Sequence, residues 1–173
     1  MEYITENDVK FVKLTFCDFL GRQRNISVLS SQLEDAFENG VSIDSAAITG
    51  VGGIDLKLNP VSSLLSVLPW RPHAGRVVSV FCNIANLDGT PYVCDPMVML
   101  ENQVNKLGAL GLKAQVATEC EFYVFKDDGE TELVPFDTAD YCACSPSDKC
   151  DNLRRDVILS LEDMGLKPIS SHH

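Results

Sequence analysis

Thr118-Glu119-Cys120-Glu121-Phe122-Tyr123 places two carboxylates two residues apart in a run that otherwise has the pattern of a strand. From Lys113 to Phe125 two sets of residues alternate, and a period of two predicts a β-strand with the sets on opposite faces. The mostly apolar set predicts a core face. Glu119 and Glu121 then leave the other face roughly 7 Å apart, since a strand rises about 3.3 Å per residue.

The two glutamates are candidate metal ligands. Neighbouring carboxylates raise each other's pKa unless a cation neutralises them. Oxygen ligands suit Mg²⁺ or Mn²⁺ better than zinc. The Glu-x-Glu spacing by itself is more typical of a solvated strand face, so the choice between these interpretations depends on the rest of the chain.

Composition limits the classes of protein that fit the sequence. The chain has 173 residues, 45% of them hydrophobic, with 14 basic and 25 acidic residues and a net charge of −11. This charge disfavours nucleic acid and anionic membrane surfaces as partners. The chain opens with no apolar leader and contains no apolar run of about 20 residues. We therefore expect a cytoplasmic protein whose seven cysteines are reduced.

The first half of the chain predicts a small α+β domain of β-grasp type at residues 1–88. Alternating residues predict a hairpin at 9–28, and Ser31 to Glu34 has the pattern of a capping box for a helix that ends at Gly40. Residues 42–53 are rich in small side chains and predict a loop. Further strands follow, with prolines expected to separate them at Pro60, Pro69 and Pro72.

The second half, residues 89–173, predicts the incomplete start of another α+β domain. Asp95-Pro96 predicts a helix that stops near Gly108, with core positions Val98, Met99, Val104 and Leu107. After the glutamate strand, Asp127-Asp128-Gly129 predicts a hairpin turn into Leu133 and Val134. Asp151 or Asn152 is expected to cap a last helix, closed by Gly165, and residues 166–171 predict a strand.

Several stretches, in matching order and spacing, together resemble the glutamine synthetase family. They are Phe19-Leu20-Gly21-Arg22, Ile43-Asp44-Ser45-Ala46-Ala47-Ile48, Leu68-Pro69-Trp70, Asp95-Pro96 and Glu119-Cys120-Glu121-Phe122. Ser171-His172-His173 is similar to the family's Ser-His-His-Glu strand, interrupted before its glutamate. The resemblance implies a β-grasp domain followed by the first part of the family's antiparallel-sheet catalytic domain, in a truncated chain.

The resemblance also implies an activity. Enzymes of this family use ATP to phosphorylate the γ-carboxylate of glutamate, and ammonia, or an amine in relatives, then displaces the phosphate. Glu119 and Glu121 would be ligands of two divalent metals, Mg²⁺ or Mn²⁺. Asp44 would correspond to the aspartate that one subunit lends to its neighbour's ammonium site, which implies a homo-oligomeric ring.

Departures from the family pattern leave alternatives open. The family's Asp-Gly-Ser-Ser is Asp44-Ser45-Ala46-Ala47 here, and its Asp-Pro-Arg is Asp95-Pro96-Met97, so the nucleophile could be ammonia or another amine. Because later ligands of the family lie beyond residue 173, we expect this fragment alone to be inactive. A non-catalytic oligomerisation or binding module is the alternative function.

A different class of site is suggested by three cysteines near the end of the chain. Cys142, Cys144 and Cys150, followed by His172 and His173, could bind zinc, although their spacing lacks the paired Cys-x-x-Cys pattern of strong zinc motifs. The terminal His-His could also be the remnant of a purification tag.

Overall fold

The computed structural model describes residues 2–70, 75–127, 129 and 133–173. The chain divides into two compact units, Met1–Gln115 and Val116–His173. The helices are α1 (Glu2–Glu6), α2 (Leu33–Asn39), α3 (Ala46–Thr49), α4 (Pro96–Ala109) and α5 (Asp151–Asp163), with a 3₁₀ turn at Ser30–Gln32. The strands are β1 (Val9–Cys17), β2 (Gln23–Leu29), β3 (Val41–Asp44), β4 (Asp55–Val67) and β5 (Arg76–Asn86). Within the described ranges, no helix has both the length and the apolar composition that crossing a membrane requires.

The first unit is built on one mixed five-stranded sheet in the order β2-β1-β5-β4-β3. The predicted hairpin is confirmed, because β1 pairs antiparallel with β2. β1 also pairs in parallel with β5, while β4 runs antiparallel to both β5 and β3. Alternate residues of the central strands point into one apolar core, which confirms the predicted α+β class. Its fully buried members include Val12, Leu14, Phe16, Leu56, Leu58, Val78, Val80, Cys82 and Ile84.

α2 covers the core with Leu33 and Ala36. Its predicted end at Gly40 is confirmed: the Gly40 amide donates to the Ala36 carbonyl at φ +70°, and an added Cβ would lie 2.5 Å from Oδ1 of Asn59. The predicted capping box is wrong. The chain enters α2 through the 3₁₀ turn, so Gln32 rather than Ser31 takes the N-cap position and makes no side-chain cap.

Two predicted interruptions of the sheet are also wrong. The stretch 42–53 is not a continuous loop, because Val41 to Asp44 pair with β4 and α3 follows. A strand of four residues offers too few alternations to be recognised in sequence. Pro60 does not end a strand either, since β4 continues through it with a register shift between Pro60 and Leu65 that accommodates the missing N–H. The predicted break at Pro72 lies outside the described residues.

Asp95 joins α4 to the sheet. As predicted, it caps the helix: its Oδ1 accepts from the Met97 amide at 2.9 Å, and its Oδ2 accepts from the Ile84 amide of β5 at 2.8 Å. The predicted core face of α4 is wrong, because the helix contains no buried residue and Met99 and Val104 are 45% and 46% exposed. Helical spacing marks an apolar face, but no described residue of the first unit buries it.

The second unit contains little regular structure besides α5. The predicted hairpin pairing is confirmed by the Phe125–Pro135 bridge and by hydrogen bonds from Lys126 to Val134 and from Phe136 to Val124. Asp128 of its turn lies outside the described residues. The predicted cap of α5 is wrong, since Cys150 holds the N-cap position without a side-chain bond. Gly165 closes the helix as expected, donating to the Glu162 carbonyl.

The two strands predicted in and beside this unit, Lys113 to Phe125 and residues 166–171, do not form. Apart from the single bridge at Phe125, neither segment has a strand ladder in the described part of the chain. Val116 and Ile169 are 89% and 96% exposed, so the expected core face does not exist. An alternating sequence becomes a strand only when a neighbouring strand takes its backbone hydrogen bonds.

Candidate functional site

Glu119 and Glu121 lie in the extended, unpaired segment of the second unit, and both side chains are exposed. Neither makes a hydrogen bond or an ion pair with another described residue. Free carboxylates have the donor chemistry that Mg²⁺ or Mn²⁺ prefers, and in this respect the residues fit a divalent cation. The donor set is incomplete, because no group of three His, Cys, Asp or Glu ligand atoms within 4.8 Å of one another includes either glutamate among the described residues.

Tyr141 is a residue of the second unit that the sequence did not single out. The pKa of Tyr141 is raised, first by a hydrogen bond with the Cys142 thiol and by that group's charge, and further by the negative charge of Glu119. The Tyr141 ring meets the His172 ring edge to face, with centroids 4.9 Å apart. Tyr141 therefore packs against His172 near the end of the chain, although it sits in a segment that offered only a loop pattern.

The second unit also contains a cluster of polar side chains that includes His173. Asp137, Asp148 and His173 bring one ligand atom each within 4.8 Å of the others, the only such group in the described residues. His173 Nε2 lies 2.9 Å from Oδ1 of Asp137, and Asp148 pairs with Arg154 through both carboxylate oxygens. Sequence reasoning missed the two aspartates and the arginine, which have no local motif.

The three cysteines of the zinc alternative are not brought together. Cys142 and Cys144 are exposed and Cys150 is half-buried. None of them belongs to a group of three potential ligand atoms in the part of the chain that the structure describes. The structure therefore offers no support for zinc binding by these residues.

Asp44 belongs to the first unit, at the end of β3, and its carboxylate is exposed but held. Oδ1 accepts from the Ala46 amide at 2.7 Å, and Oδ2 accepts weakly from the Gly53 amide at 3.4 Å. The adjacent Ser45 is buried and fastens the same loop, since its hydroxyl donates to the Val51 carbonyl at 2.8 Å. An exposed carboxylate in a fixed position can bind a small cation such as ammonium.

Gly52 packs directly against Asp44. A Cβ at this position would lie 2.9 Å from Oδ1 of Asp44 and 3.6 Å from the Cβ of Ala46. The close approach requires a residue without a side chain. The sequence showed the small residues here but not the contact, which joins residues eight positions apart.

The comparisons with known proteins cover nearly the whole chain. The family model "Glutamine synthetase, beta-Grasp domain" matches residues 8–87, and the model "Glutamine synthetase, catalytic domain" matches residues 93–173. Glutamine synthetases of Clostridium saccharobutylicum and Methanosarcina mazei are each 36% identical, over 98% and 100% of this chain. The chain spans 40% of the length of these curated relatives.

Solved structures agree on the fold. A structure described as "Apo GmaS without ligand" matches 96% of this chain with a TM-score of 0.74 at 20% identity. A Plasmodium falciparum glutamine synthetase matches 99% of it with a TM-score of 0.73 at 16% identity. The β-grasp fold predicted for the first half is confirmed. The boundary near residue 88 stays a prediction, because compactness divides the chain after Gln115.

Proposed function

Because the chain belongs to the glutamine synthetase family, we propose that it is part of an ATP-dependent ligase that couples ammonia or an amine to glutamate. The reaction would activate the γ-carboxylate of glutamate as a γ-glutamyl phosphate. The observation that carries the proposal is the pair of exposed carboxylates at Glu119 and Glu121, which have no ion-pair partner among the described residues. A cytoplasmic location remains a prediction from sequence.

In this proposal Glu119 and Glu121 hold Mg²⁺ or Mn²⁺. Bound there, the metal supplies neutralisation and orientation of the phosphoryl group that ATP donates. The remaining ligands would come from parts of a longer protein, because two carboxylates do not complete a six-coordinate shell. The chain alone is accordingly expected to lack ligase activity.

Asp44 is the proposed ammonium-binding carboxylate. Its exposure and its fixed position at the end of β3 suit a group that holds a cation and draws a proton from it. We propose that the site it serves belongs to a neighbouring subunit of a ring. Ala46 and Ala47, both exposed, replace hydroxyl residues of the family pattern beside it, so ammonia and small amines are both candidate nucleophiles.

The test uses a full-length protein that contains this chain. Glu119→Gln and Glu121→Gln each keep the shape of the side chain but remove the charge. We expect each to lower kcat/KM for glutamate-dependent phosphate release from ATP by about 100-fold or more, since metal contacts stabilise the transferring phosphoryl group by several kcal/mol. Glu101→Gln, on the exposed surface of α4, is the matched control and should leave the rate unchanged.

The same assay separates the proposal from its alternative. A non-catalytic oligomerisation module is favoured by one observation: the first unit has a five-stranded sheet with a buried apolar core, whereas the described residues of the second unit include no buried apolar side chain. Full activity in both variants would refute the metal role. A wild-type full-length protein that assembles but releases no phosphate with any amine tested would favour the module.

A further inference from the structure

The polar cluster of Asp137, Asp148, Arg154 and His173 is the centre of the second unit. Among the described residues of Val116–His173, Asp148 is the one that is buried, at 5% exposure. A unit without a buried apolar side chain has little hydrophobic stabilisation to fix its loops. Its order therefore depends on hydrogen bonds and ion pairs, and these converge on two carboxylates.

The Asp137 carboxylate has three hydrogen-bond partners, two of them distant in sequence. Its Oδ2 accepts from the Lys149 amide at 2.8 Å, and its Oδ1 lies 2.9 Å from Nε2 of His173 and 3.4 Å from the Ala139 amide. The Lys149 and His173 contacts close loops of 12 and 36 residues. One carboxylate thus joins both ends of the 137–149 segment to the end of the chain.

Asp148 anchors this segment to α5. Both of its oxygens receive the Arg154 guanidinium, with Nη1 at 3.0 Å, and Oδ1 also accepts from the Cys150 amide at 3.0 Å. Such forked pairs are geometrically specific as well as strong. The hydrogen bond from Arg154 accordingly holds the pKa of Asp148 below its usual value, although burial opposes it.

A second contact fixes the end of the chain. The Cys142 amide donates to the His173 carbonyl at 3.0 Å, so the segment holds His173 by its backbone as well as by its ring. Tyr141 and His172 lie immediately beside these two contacts. Their edge-to-face packing follows from the position of the His173 backbone and ring.

We propose that Asp137 is a positioning residue, which by holding His173 fixes the contact between the Tyr141 and His172 rings. A part for this ring pair in the ligase reaction would rest on the proposed function. The geometric claim itself does not depend on activity. Asp137 acts through His173 and is not a catalytic residue.

The cluster has ligand atoms close enough for a metal ion, but Arg154 argues against one. Both oxygens of Asp148 already receive a guanidinium, which carries the positive charge that a cation would supply. A bound cation would place two positive charges against the same carboxylate. Positioning, rather than cation binding, is the role that these contacts support.

The test is NMR spectroscopy of the 173-residue chain. In the unmodified chain we expect nuclear Overhauser contacts between the Tyr141 and His172 rings and slowed hydrogen exchange at the Cys142 amide. Asp137→Ala should abolish the ring contacts and speed exchange at Cys142 by about tenfold or more. Asp137→Asn keeps an oxygen acceptor and should retain part of both signals. Asp140→Ala, an exposed carboxylate in the same segment, is the control.

Three outcomes would overturn the proposal. The first is unchanged ring contacts in Asp137→Ala. The second is loss of protection in α5 and at the Lys126 amide of the hairpin together with Cys142. The Asp148–Arg154 pair remains in Asp137→Ala and should keep α5 in place, so such a loss would mean that Asp137 supports the whole unit instead of one arrangement. The third is selective broadening of Asp137 and His173 signals by micromolar Mn²⁺, which would identify a cation site. An inactive full-length protein would refute the proposed function and leave these measurements intact.

Discussion

Asp44 and Gly52 show how one missing side chain can set the position of a proposed functional group. The Asp44 carboxylate has no ion-pair partner in the described residues and is held by backbone amides alone. Gly52 borders it so closely that a side chain there would crowd the carboxylate. Gly50 and Gly53 have open space around them and a positive φ instead, so glycine serves conformation at those two positions and close approach at Gly52.

Gly52→Ala is therefore expected to displace the Asp44 carboxylate. The added Cβ would stand 2.9 Å from Oδ1, so the hydrogen bond to the Ala46 amide must lengthen, and the Ala46 amide resonance should move upfield. Gly108→Ala is the control, because no atom lies within 4 Å of its added Cβ. That substitution should stabilise α4 by up to about 1 kcal/mol. An unmoved Ala46 resonance in Gly52→Ala would contradict the steric argument.

Among the secondary-structure elements, the sequence pattern identified the long strands. It did not identify the short strand, and it could not show which alternating segment lacks a partner strand. β1 and β5 have nine and eleven residues, enough alternations to predict both the strand and its buried face. β3 was missed because it has only four residues. The segment with Glu119 and Glu121 alternates equally well but finds one bridge instead of a ladder, and no local pattern reports whether a partner strand is present.

The residues of the candidate site also fall into two groups, those that a sequence motif identifies and those that only the folded structure brings together. Glu119, Glu121 and Asp44 were selected from short motifs, and the structure leaves their carboxylates exposed, as the proposed roles require. Tyr141 and Asp137 were not selected, because their significance comes from contacts with residues 31 and 36 positions away in sequence. Such contacts depend on the tertiary fold, and the residue types and spacing of a short segment do not reveal them.

The parallel pairing of β1 with β5 contains a buried polar contact that can be measured. The hydroxyls of Thr15 and Ser79 lie 2.6 Å apart, and the two residues are 1% and 7% exposed. Ser79→Ala should cost about 1 kcal/mol of unfolding free energy, because it leaves the buried Thr15 hydroxyl with only a long contact of 3.5 Å to the Lys13 carbonyl. Thr15→Val should cost a similar amount, because it leaves the Ser79 hydroxyl without this partner.

The double variant should cost less than the sum of the single variants, with a coupling of about 1 kcal/mol, since it leaves no orphaned hydroxyl. Urea denaturation followed by circular dichroism measures all three values. Strict additivity would mean that the two hydroxyls do not stabilise each other. Ser66→Ala, which pairs with Ser79 in register from β4 but lies half-buried, controls for loss of a hydroxyl near the site.

In the molecule as a whole, each of the two units is stabilised by a different kind of interaction. All of the buried apolar residues in the described chain lie in Met1–Gln115, around the five-stranded sheet. The second unit relies on the polar cluster around Asp137 and Asp148. Apolar burial does not titrate, whereas ion pairs do, so pH should distinguish the two units.

Acid should therefore disorder the second unit first. Hydrogen bonds from the Lys149 amide and His173 lower the pKa of Asp137, and the hydrogen bond from Arg154 lowers that of Asp148. Groups with a lowered folded-state pKa give stability that is complete above the unfolded value, about 3.9, and is lost as pH falls through the folded value. We expect protection of the Cys142 and Lys149 amides to persist at pH 5 and to be lost only as the pH falls past the ordinary aspartate value of 3.8 toward the lower folded-state value.

Amides of the central strand with buried apolar side chains around them, such as that of Val80, should remain protected through that transition. Exchange rates measured residue by residue between pH 5 and pH 2, corrected for intrinsic rates, separate the two units. A variant with Asp137→Asn and Asp148→Asn should be loosened at every pH, because it loses the charged contacts, and should show no acid transition of its own, because Asn does not titrate. Loss of protection at Cys142 and Val80 at one common pH would show instead that the polar cluster does not govern the second unit.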